Sequence, residues 1–548
     1  MADGEDFDVD VEEGSEGRVV PREAGRLIAV GGGRGGVGKS VIAESLAVYF
    51  AQLGKPVILI DADPTGANLH AHFGLSASRK EPSLDGPAPG HADRGAGGAR
   101  GAGSEDSWND SLLTTAVPGL RLLPAAHDSI DVPMSLRSSR KSRWLSRVRA
   151  LPAEYLVVDV GPGHGPVAVD LLLAADLAIV VSVPEPPAIE TTYRFIRAAF
   201  VRRVRRALLP DKFRLGLFER ALRQIGYLPA PIELVRALTK VERELALLAW
   251  IEAKRMRLHL VVNQTRVRAD QDLGQQMCDL STRHYGVALD ELGHVEHDDT
   301  VWLAVRRNRP LLIDSPASKA ARNVERIARR VLALITVRAQ QGVVPSAIPL
   351  DRPTLYDVLG VSRSANDEEV RRAYKRVKDM YAPGSLATSS LLGDSDLMAA
   401  RTRLDEAYET LLDPLRRRAY DLSTFSEPEA KPSHGSVPKP ALAAEQAMLQ
   451  HGLAREIGPE TEFTGALLRK VREAYGIDIA DISERTKIGK AHLVAIEEEA
   501  FDVLPAPVYV RGFVVELAKF LRLDPPQVQR TYLRRMRERL AGRGRDGA

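Results

Sequence analysis

The stretch from Leu27 to Ser40 carries the densest chemical signal in the sequence. A short apolar run, Leu27-Ile28-Ala29-Val30, leads into Gly31-Gly32-Gly33-Arg34-Gly35-Gly36-Val37-Gly38-Lys39-Ser40, and a helical pattern begins at Val41. Gly33 to Ser40 fits G-x-x-x-x-G-K-[ST] between a strand and a helix, which reads as a phosphate-binding P-loop. Glycines let backbone N–H groups curl around phosphate oxygens. Lys39 adds a mobile cation, the Ser40 hydroxyl can ligate Mg²⁺, and the helix N-terminus supplies the positive end of a dipole. Two carboxylates fit the same chemistry. Asp159 follows Tyr155-Leu156-Val157-Val158 and is placed to hold Mg²⁺ with Ser40. Asp63 closes the second apolar strand, where it can reach the metal and polarise an attacking water. Gly161-Pro162-Gly163 gives the loop after Asp159 room to move with a terminal phosphate.

These residues need a scaffold that brings strand ends together. Residues 41–52 read as a helix closed by Gly54. Strands are expected at Pro56–Ile60, Leu120–Leu123, Tyr155–Val158, Leu177–Val183, Leu258–Val262 and Leu292–Val295. Arginine-rich helices are expected over 188–208 and 231–256, with further helices around Val301 and from Ser318 to about Val337. Such alternation implies an α/β fold, a P-loop NTPase whose mostly parallel sheet is covered by helices, with ligands at the strands' carboxyl ends. Two small all-α units are expected to follow it.

With 548 residues, the chain calls for several domains. Its net charge of +3 conceals a lopsided distribution: seven acids lie between Asp3 and Glu13, and seven arginines between Arg530 and Arg545. Residues 1–23 are expected to be a disordered acidic tail, 79–107 a flexible Gly/Ala/Pro-rich insertion, 422–459 a linker, and 526–548 a basic tail. The P-loop domain is expected over 24–342, with helical units over 351–421 and 460–525. The single cysteine, Cys278, excludes an intrachain disulfide and fits a reducing, cytoplasmic setting. No secretory signal and no membrane span are expected.

Arg34-Gly35-Gly36-Val37-Gly38-Lys39-Ser40 resembles the deviant Walker A loop, K-G-G-x-G-K-[ST], of the ParA/MinD ATPases, and the likeness leans toward their flagellar-placement (FlhG-like) and MinD branch. Asp61-Ala62-Asp63 with Ala67-Asn68-Leu69 resembles their switch I, and Asp159 to Gly163 their switch II. Pro184-Glu185-Pro186 and Asn263-Gln264 fall where the family has later nucleotide-side loops. The resemblance implies ATP and Mg²⁺ as cofactors and a sandwich homodimer when ATP is bound. It implies slow, partner-stimulated hydrolysis that positions flagella, chromosomes, plasmids or division machinery. The implied catalytic set is Lys39, Asp63 and Arg34. Nucleotide would be held by Gly33, Arg34, Gly35, Gly36, Val37, Gly38, Lys39, Ser40 and Val41, with Asn263 reading adenine. Mg²⁺ would be held by Ser40, Asp63 and Asp159. Arg34 stands where the family carries its signature lysine; its planar fork can bridge phosphate oxygens bidentately.

Residues 351–421 resemble a J domain, carried by Leu355-Tyr356-Asp357-Val358-Leu359-Gly360, by Asp413-Pro414 and by the closing Arg417-x-x-Tyr420-Asp421. The His-Pro-Asp tripeptide on which chaperone stimulation depends is replaced by Ala382-Pro383-Gly384, so a docking or spacing role is implied. Residues 463–525 resemble the helix-turn-helix of RodZ, a cytoskeleton adaptor. This likeness implies protein partners, among them an actin homologue meeting a stripe of Tyr509 and Phe513. Glu497-Glu498-Glu499 on the second helix disfavours specific DNA reading unless those acids face away. Arg202, Arg203, Arg205, Arg206, Arg306, Arg307 and Arg309 are candidate contacts for non-specific DNA, with a solvated helix face as the alternative. Direct membrane docking is not expected. Three functions compete: an ATP-switched spatial regulator, a nucleotide-gated DNA-binding regulator, and a scaffold in which nucleotide is structural.

Overall fold

The computed structural model describes residues 25–63, 68–76, 112–124, 145–336, 348, 353–425, 457–458, 461–475, 477–521 and 523–543. The sequence expectations for 1–23, 79–107 and the linker fall almost wholly outside these residues.

Eight strands form one sheet: β1 (Arg26–Gly31), β2 (Val57–Ala62), β3 (Leu113–Thr114), β4 (Leu120–Leu123), β5 (Tyr155–Val160), β6 (Leu177–Ser182), β7 (Arg257–Thr265) and β8 (Ala288–Glu296). Their order is β3-β4-β2-β5-β1-β6-β7-β8, and every neighbouring pair is parallel except β3 with β4. The central strands read as continuous aliphatic runs because both faces are covered. Alternation then deals their side chains to two cores. Leu27, Ala29, Ile58 and Ile60 enter one; Ile28, Val30, Val57 and Leu59 enter the other. The second core is roofed by α1 (Lys39–Gln52) and the helix Lys319–Thr336, the first by Pro166–Ala174 and Pro186–Ala207. A one-turn helix, α2 (Leu69–His72), follows β2. The register sets Asp159 beside Val30 of β1 and beside Asp61 of β2, so the acidic strand ends meet next to the P-loop.

The expected strands are all present. The expected helix over 231–256 is instead two, Pro231–Thr239 and Arg243–Arg255, broken at Lys240-Val241-Glu242, and Lys212–Ile225 adds a helix before them. Among the described residues no helix is long and apolar enough to cross a membrane.

The J-like unit comprises Leu355–Leu359, Asp367–Met380, Asp394–Leu412 and Pro414–Thr424. Leu359, Val370, Val377 and Leu404 share one contiguous core with Tyr193, Tyr285 and Phe200 of the sheet-bearing P-loop domain. Polar contacts finish the joint. Tyr193 donates its hydroxyl to the Ala387 carbonyl (3.1 Å), His284 Nε2 lies 2.9 Å from the Tyr381 hydroxyl, and Arg283 donates to the Val358 carbonyl (2.6 Å). Arg283, His284 and Tyr285 belong to a single π-helical turn, Ser281–Tyr285.

The last unit has its own core, made by Gly465–Ala474, Ile479–Thr486, Lys490–Glu497, Pro507–Phe520 and Pro525–Arg543. Its boundary differs from the expected 525. Val528, Tyr532 and Met536, spaced four apart, are buried in that core, and the Tyr532 hydroxyl donates to the Ile496 carbonyl (2.8 Å). Most of the supposed basic tail is thus the unit's final helix, and Arg535 within it pairs with Glu499 (2.8 Å).

Candidate nucleotide-binding site

The loop after β1 is held open by glycines where nothing larger fits. Gly38 takes a φ of 91°, and a Cβ there would fall 2.2 Å from Asn263 Nδ2. A Cβ on Gly33 would fall 2.3 Å from the Thr191 carbonyl oxygen. No side chain caps α1, so its first N–H groups face the loop. Lys39 is buried and folds back to donate to the Arg34 carbonyl (3.1 Å). Burial pulls its pKa down, opposed by the charges of Asp159 and Asp63.

Asp159 is buried at the end of β5. Burial pushes its carboxyl up to about 7, against the hydrogen bond from Ser40 and with the negative charge of Asp61 adding to the rise. Its Oδ1 has no hydrogen-bond partner. A buried carboxylate oxygen without a partner, beside a serine hydroxyl and a lysine, fits a hard divalent cation that also takes phosphate oxygens. Among the described residues no group of three or more His, Cys, Asp or Glu could hold a metal. Ser40 and Asp159, with the charge of Asp63 close by, are the residues that would hold such a cation, phosphate oxygens completing its shell.

Asp63 stands against the loop after β5: a Cβ on Gly161 would lie 3.0 Å from its Oδ1. The loop after β5 is also tied to the P-loop, where the Gly163 N–H donates to the Gly32 carbonyl (3.1 Å). Asp61 holds the backbone around Asp63, accepting from the N–H of Asp63 (3.2 Å) and of Leu69 (3.1 Å). Lys39, Ser40, Asp63 and Asp159 thus converge as expected.

Asn263 donates from Nδ2 to the Val37 carbonyl (2.9 Å). It borders a cavity of about 220 Å³ that is also lined by Gly38, Val41, Ile42, Asp298 and Trp302. The sequence reading placed Asn263 and Val41 here and missed Asp298 and Trp302. The available signal was Asp298-Asp299-Thr300, a helix-capping pattern: Asp298 accepts from the N–H of Thr300 (3.0 Å) and of Lys319 (3.1 Å).

Arg34 lies away from Lys39's pocket. Its Nη1 donates to Glu185 Oε2 (2.5 Å), and both side chains are about half exposed. The residue in the signature position is therefore tied within its own subunit, to the loop that starts the helix Pro186–Ala207.

The arginines expected to meet DNA are mostly engaged. Arg202 forks onto Asp170 (2.7 Å), Arg203 pairs with Glu252 (2.7 Å), Arg205 with Glu219 (2.5 Å) and Arg307 with Asp314 (3.1 Å), while Arg306 lies over the Trp302 ring. Two acids of the run in the last unit, Glu497 and Glu499, are likewise turned inward, and Glu498 is exposed. Glu497 is buried against Arg472 (2.5 Å), Glu499 holds Arg535, and Glu498 lies near Arg469 (3.7 Å). Tyr509 is exposed, but Phe513 turns to stack on His492 with 5.6 Å between ring centroids. The expected two-ring exposed stripe is a single exposed ring.

Comparison with known proteins follows the same division. The CobQ/CobB/MinD/ParA nucleotide binding domain matches residues 28–312, the DnaJ domain residues 354–421, and a helix-turn-helix domain residues 467–528. The chromosome partitioning protein ParA of Caulobacter vibrioides is 30% identical over 191 residues, covering 34% of this chain and 65% of that protein. The flagellum site-determining protein YlxH of Helicobacter pylori is 28% identical over 173 residues, covering 31% and 53%. The chain thus spans less than two thirds of the length of these relatives. The septum site-determining protein MinD of Pyrococcus horikoshii, solved with Mg-ADP, aligns over 59% of this chain and 99% of its own, with 16% identity and a TM-score of 0.33. With more than half of its length matched by that nucleotide-binding domain, the chain belongs to the CobQ/CobB/MinD/ParA family.

Proposed function

We propose that this protein is an ATP-dependent dimerising switch that hydrolyses ATP and acts as a spatial regulator of the partitioning or flagellar-placement type, recruiting partners through its two C-terminal units. The observation that carries the reading is the unpartnered, buried Asp159 oxygen beside Ser40 and Lys39. In this reading the loop's N–H groups and Lys39 bind the β- and γ-phosphates, with Lys39 leaving the Arg34 carbonyl to do so. The base enters the cavity beside Asn263. Asp63 orients and polarises the attacking water. Ser40, Asp159 and Asp63 are the residues that would hold Mg²⁺, which would neutralise phosphate charge there. Arg34, freed from Glu185, reaches the partner subunit's nucleotide. The chromosome-partitioning and flagellum site-determining roles of the similar proteins support the positioning role.

Lys39→Ala should lower ATP binding and turnover together, while Asp63→Ala should keep nucleotide binding and lose turnover by about a hundredfold or more. Arg34→Ala should lose ATP-dependent dimerisation in light scattering. Unchanged dimerisation and turnover in Arg34→Ala would remove Arg34 from the mechanism. Turnover surviving in both Lys39→Ala and Asp63→Ala would refute the assignment of hydrolysis to this site, and a wild-type chain without turnover would refute the ATPase reading itself.

A nucleotide-gated DNA-binding role is the second reading, favoured by one observation. Glu497, the one acid of the helix Lys490–Glu497, is taken up by Arg472, and Glu499 just beyond it by Arg535, leaving Lys490 exposed at the helix start. It requires the full chain to retain DNA in a salt-sensitive, sequence-selective and ATP-dependent way.

A further inference from the structure

Behind the P-loop lies a buried ion pair that the proposed hydrolysis does not use. Glu44 sits on α1, four residues past Ser40, and is 3% exposed; His72 ends α2 and is 9% exposed. His72 Nδ1 lies 2.5 Å from Glu44 Oε2, and Glu44 Oε1 accepts from the Leu311 N–H (3.3 Å). Burial alone would push the His72 pKa down. The hydrogen bond and charge of Glu44, with the charges of Asp159 and Asp61, more than offset it and hold the imidazole above its ordinary value.

Two ionisable groups are costly to desolvate, and an apolar pair of the same volume commonly fills such a space as well or better. What an apolar pair lacks is direction. The segment that needs direction is the one bearing Asp63. It is clasped at its start by Asp61, which accepts from the N–H groups of Asp63 and Leu69. At its far end α2 is a single turn, too short to hold itself by its own hydrogen bonds. The Glu44–His72 pair is placed to hold that end, and it does so on the helix that also carries Lys39 and Ser40.

We infer that Glu44 and His72 are positioning residues: they latch the segment bearing Asp63 to the P-loop helix and so fix where Asp63 stands relative to Lys39 and Ser40. The catalytic consequence rests on the ATP-hydrolysing reading, whereas the latch is a property of the nucleotide-free protein.

The test uses the full chain and two variants. Glu44→Leu/His72→Leu fills the space without the pair, and His72→Asn keeps a donor where Nδ1 stood. In the double variant, amide exchange in peptides covering 61–75 should rise about tenfold, with α1 unchanged. Its kcat should fall about tenfold or more while KM stays within about twofold. His72→Asn should recover most of both. A double variant that exchanges and turns over like the wild type overturns the latch. So does a loss of melting temperature in which exchange rises equally across α1, because the pair would then be general core support. A wild-type chain without turnover would sink the ATPase reading, and the exchange measurement would still decide the latch.

Discussion

The two C-terminal units are similar in size and both helical, yet they relate to the rest of the chain in opposite ways. The J-like unit has no private core. Its Leu359, Val377 and Leu404 continue the apolar layer that begins on the sheet, and its loop after Met380 is held by Tyr193 and His284. The helix-turn-helix unit closes on itself: Phe463, Leu468, Val510 and Tyr532 bury one another, and its charged residues pair internally. The contrast teaches how a module's old site can be reused. Ala382-Pro383-Gly384 occupies the place of the missing tripeptide, and the residues flanking it, Tyr381 and Ala387, now face the ATPase-type domain. The docking role implied by the sequence is intramolecular on this side.

This contrast requires calorimetry to resolve two transitions, one for the ATPase-type domain with the J-like unit and one for the last unit. Tyr193→Ala should have the largest effect, lowering the first by about 4 kcal/mol and leaving the second in place, because it empties a fully buried ring site at the joint. A third transition, released by this change or present beforehand, would break the shared-core description. Glu497→Ala should do the converse. It strips the partly buried Arg472 guanidinium of its carboxylate and should lower only the second transition, by about 3 kcal/mol.

Acid should give the smallest and most selective effect. Burial, reinforced by the charge of Arg283 and opposed by Asp396, pulls His284 down from 6.5 to about 4. Between those values the unfolded chain binds the proton and the folded chain does not. The stability that neutral His284 contributes is therefore present above 6.5 and lost as pH falls toward about 4. The first transition should weaken over that window, and His284→Gln, which keeps a polar partner for Tyr381, should flatten this part of the slope. An unchanged slope in His284→Gln would assign the acid sensitivity elsewhere.

The sheet and the P-loop were legible because their signals are local: an aliphatic run, then glycines, then Lys39-Ser40. Asp63, Asp159 and Asn263 could be placed because each ends a strand, and strand ends meet at one edge of a parallel sheet. What escaped depends on distant contact. Glu44 in an otherwise ordinary helix gives no sign of His72, 28 residues on. The inward turn of Glu497 depends on Arg472, 25 residues back, and reverses the electrostatic reading of the whole helix. The break at Lys240-Val241-Glu242 carries neither Gly nor Pro, so periodicity ran through it. The final helix was hidden by its arginines, which outnumber the three residues that bury it.

Tyr193 and its acceptor, the Ala387 carbonyl, are separated by 194 residues. At the usual pace of synthesis, about 5–20 residues per second, Tyr193 is made roughly 10–40 s before Ala387, and the domain that carries it, whose last helix ends at Thr336, waits roughly 3–10 s of that time with the tyrosine face uncovered. The newborn chain is thus most vulnerable to aggregation during that interval, and a translational pause placed before residue 353 would lengthen it.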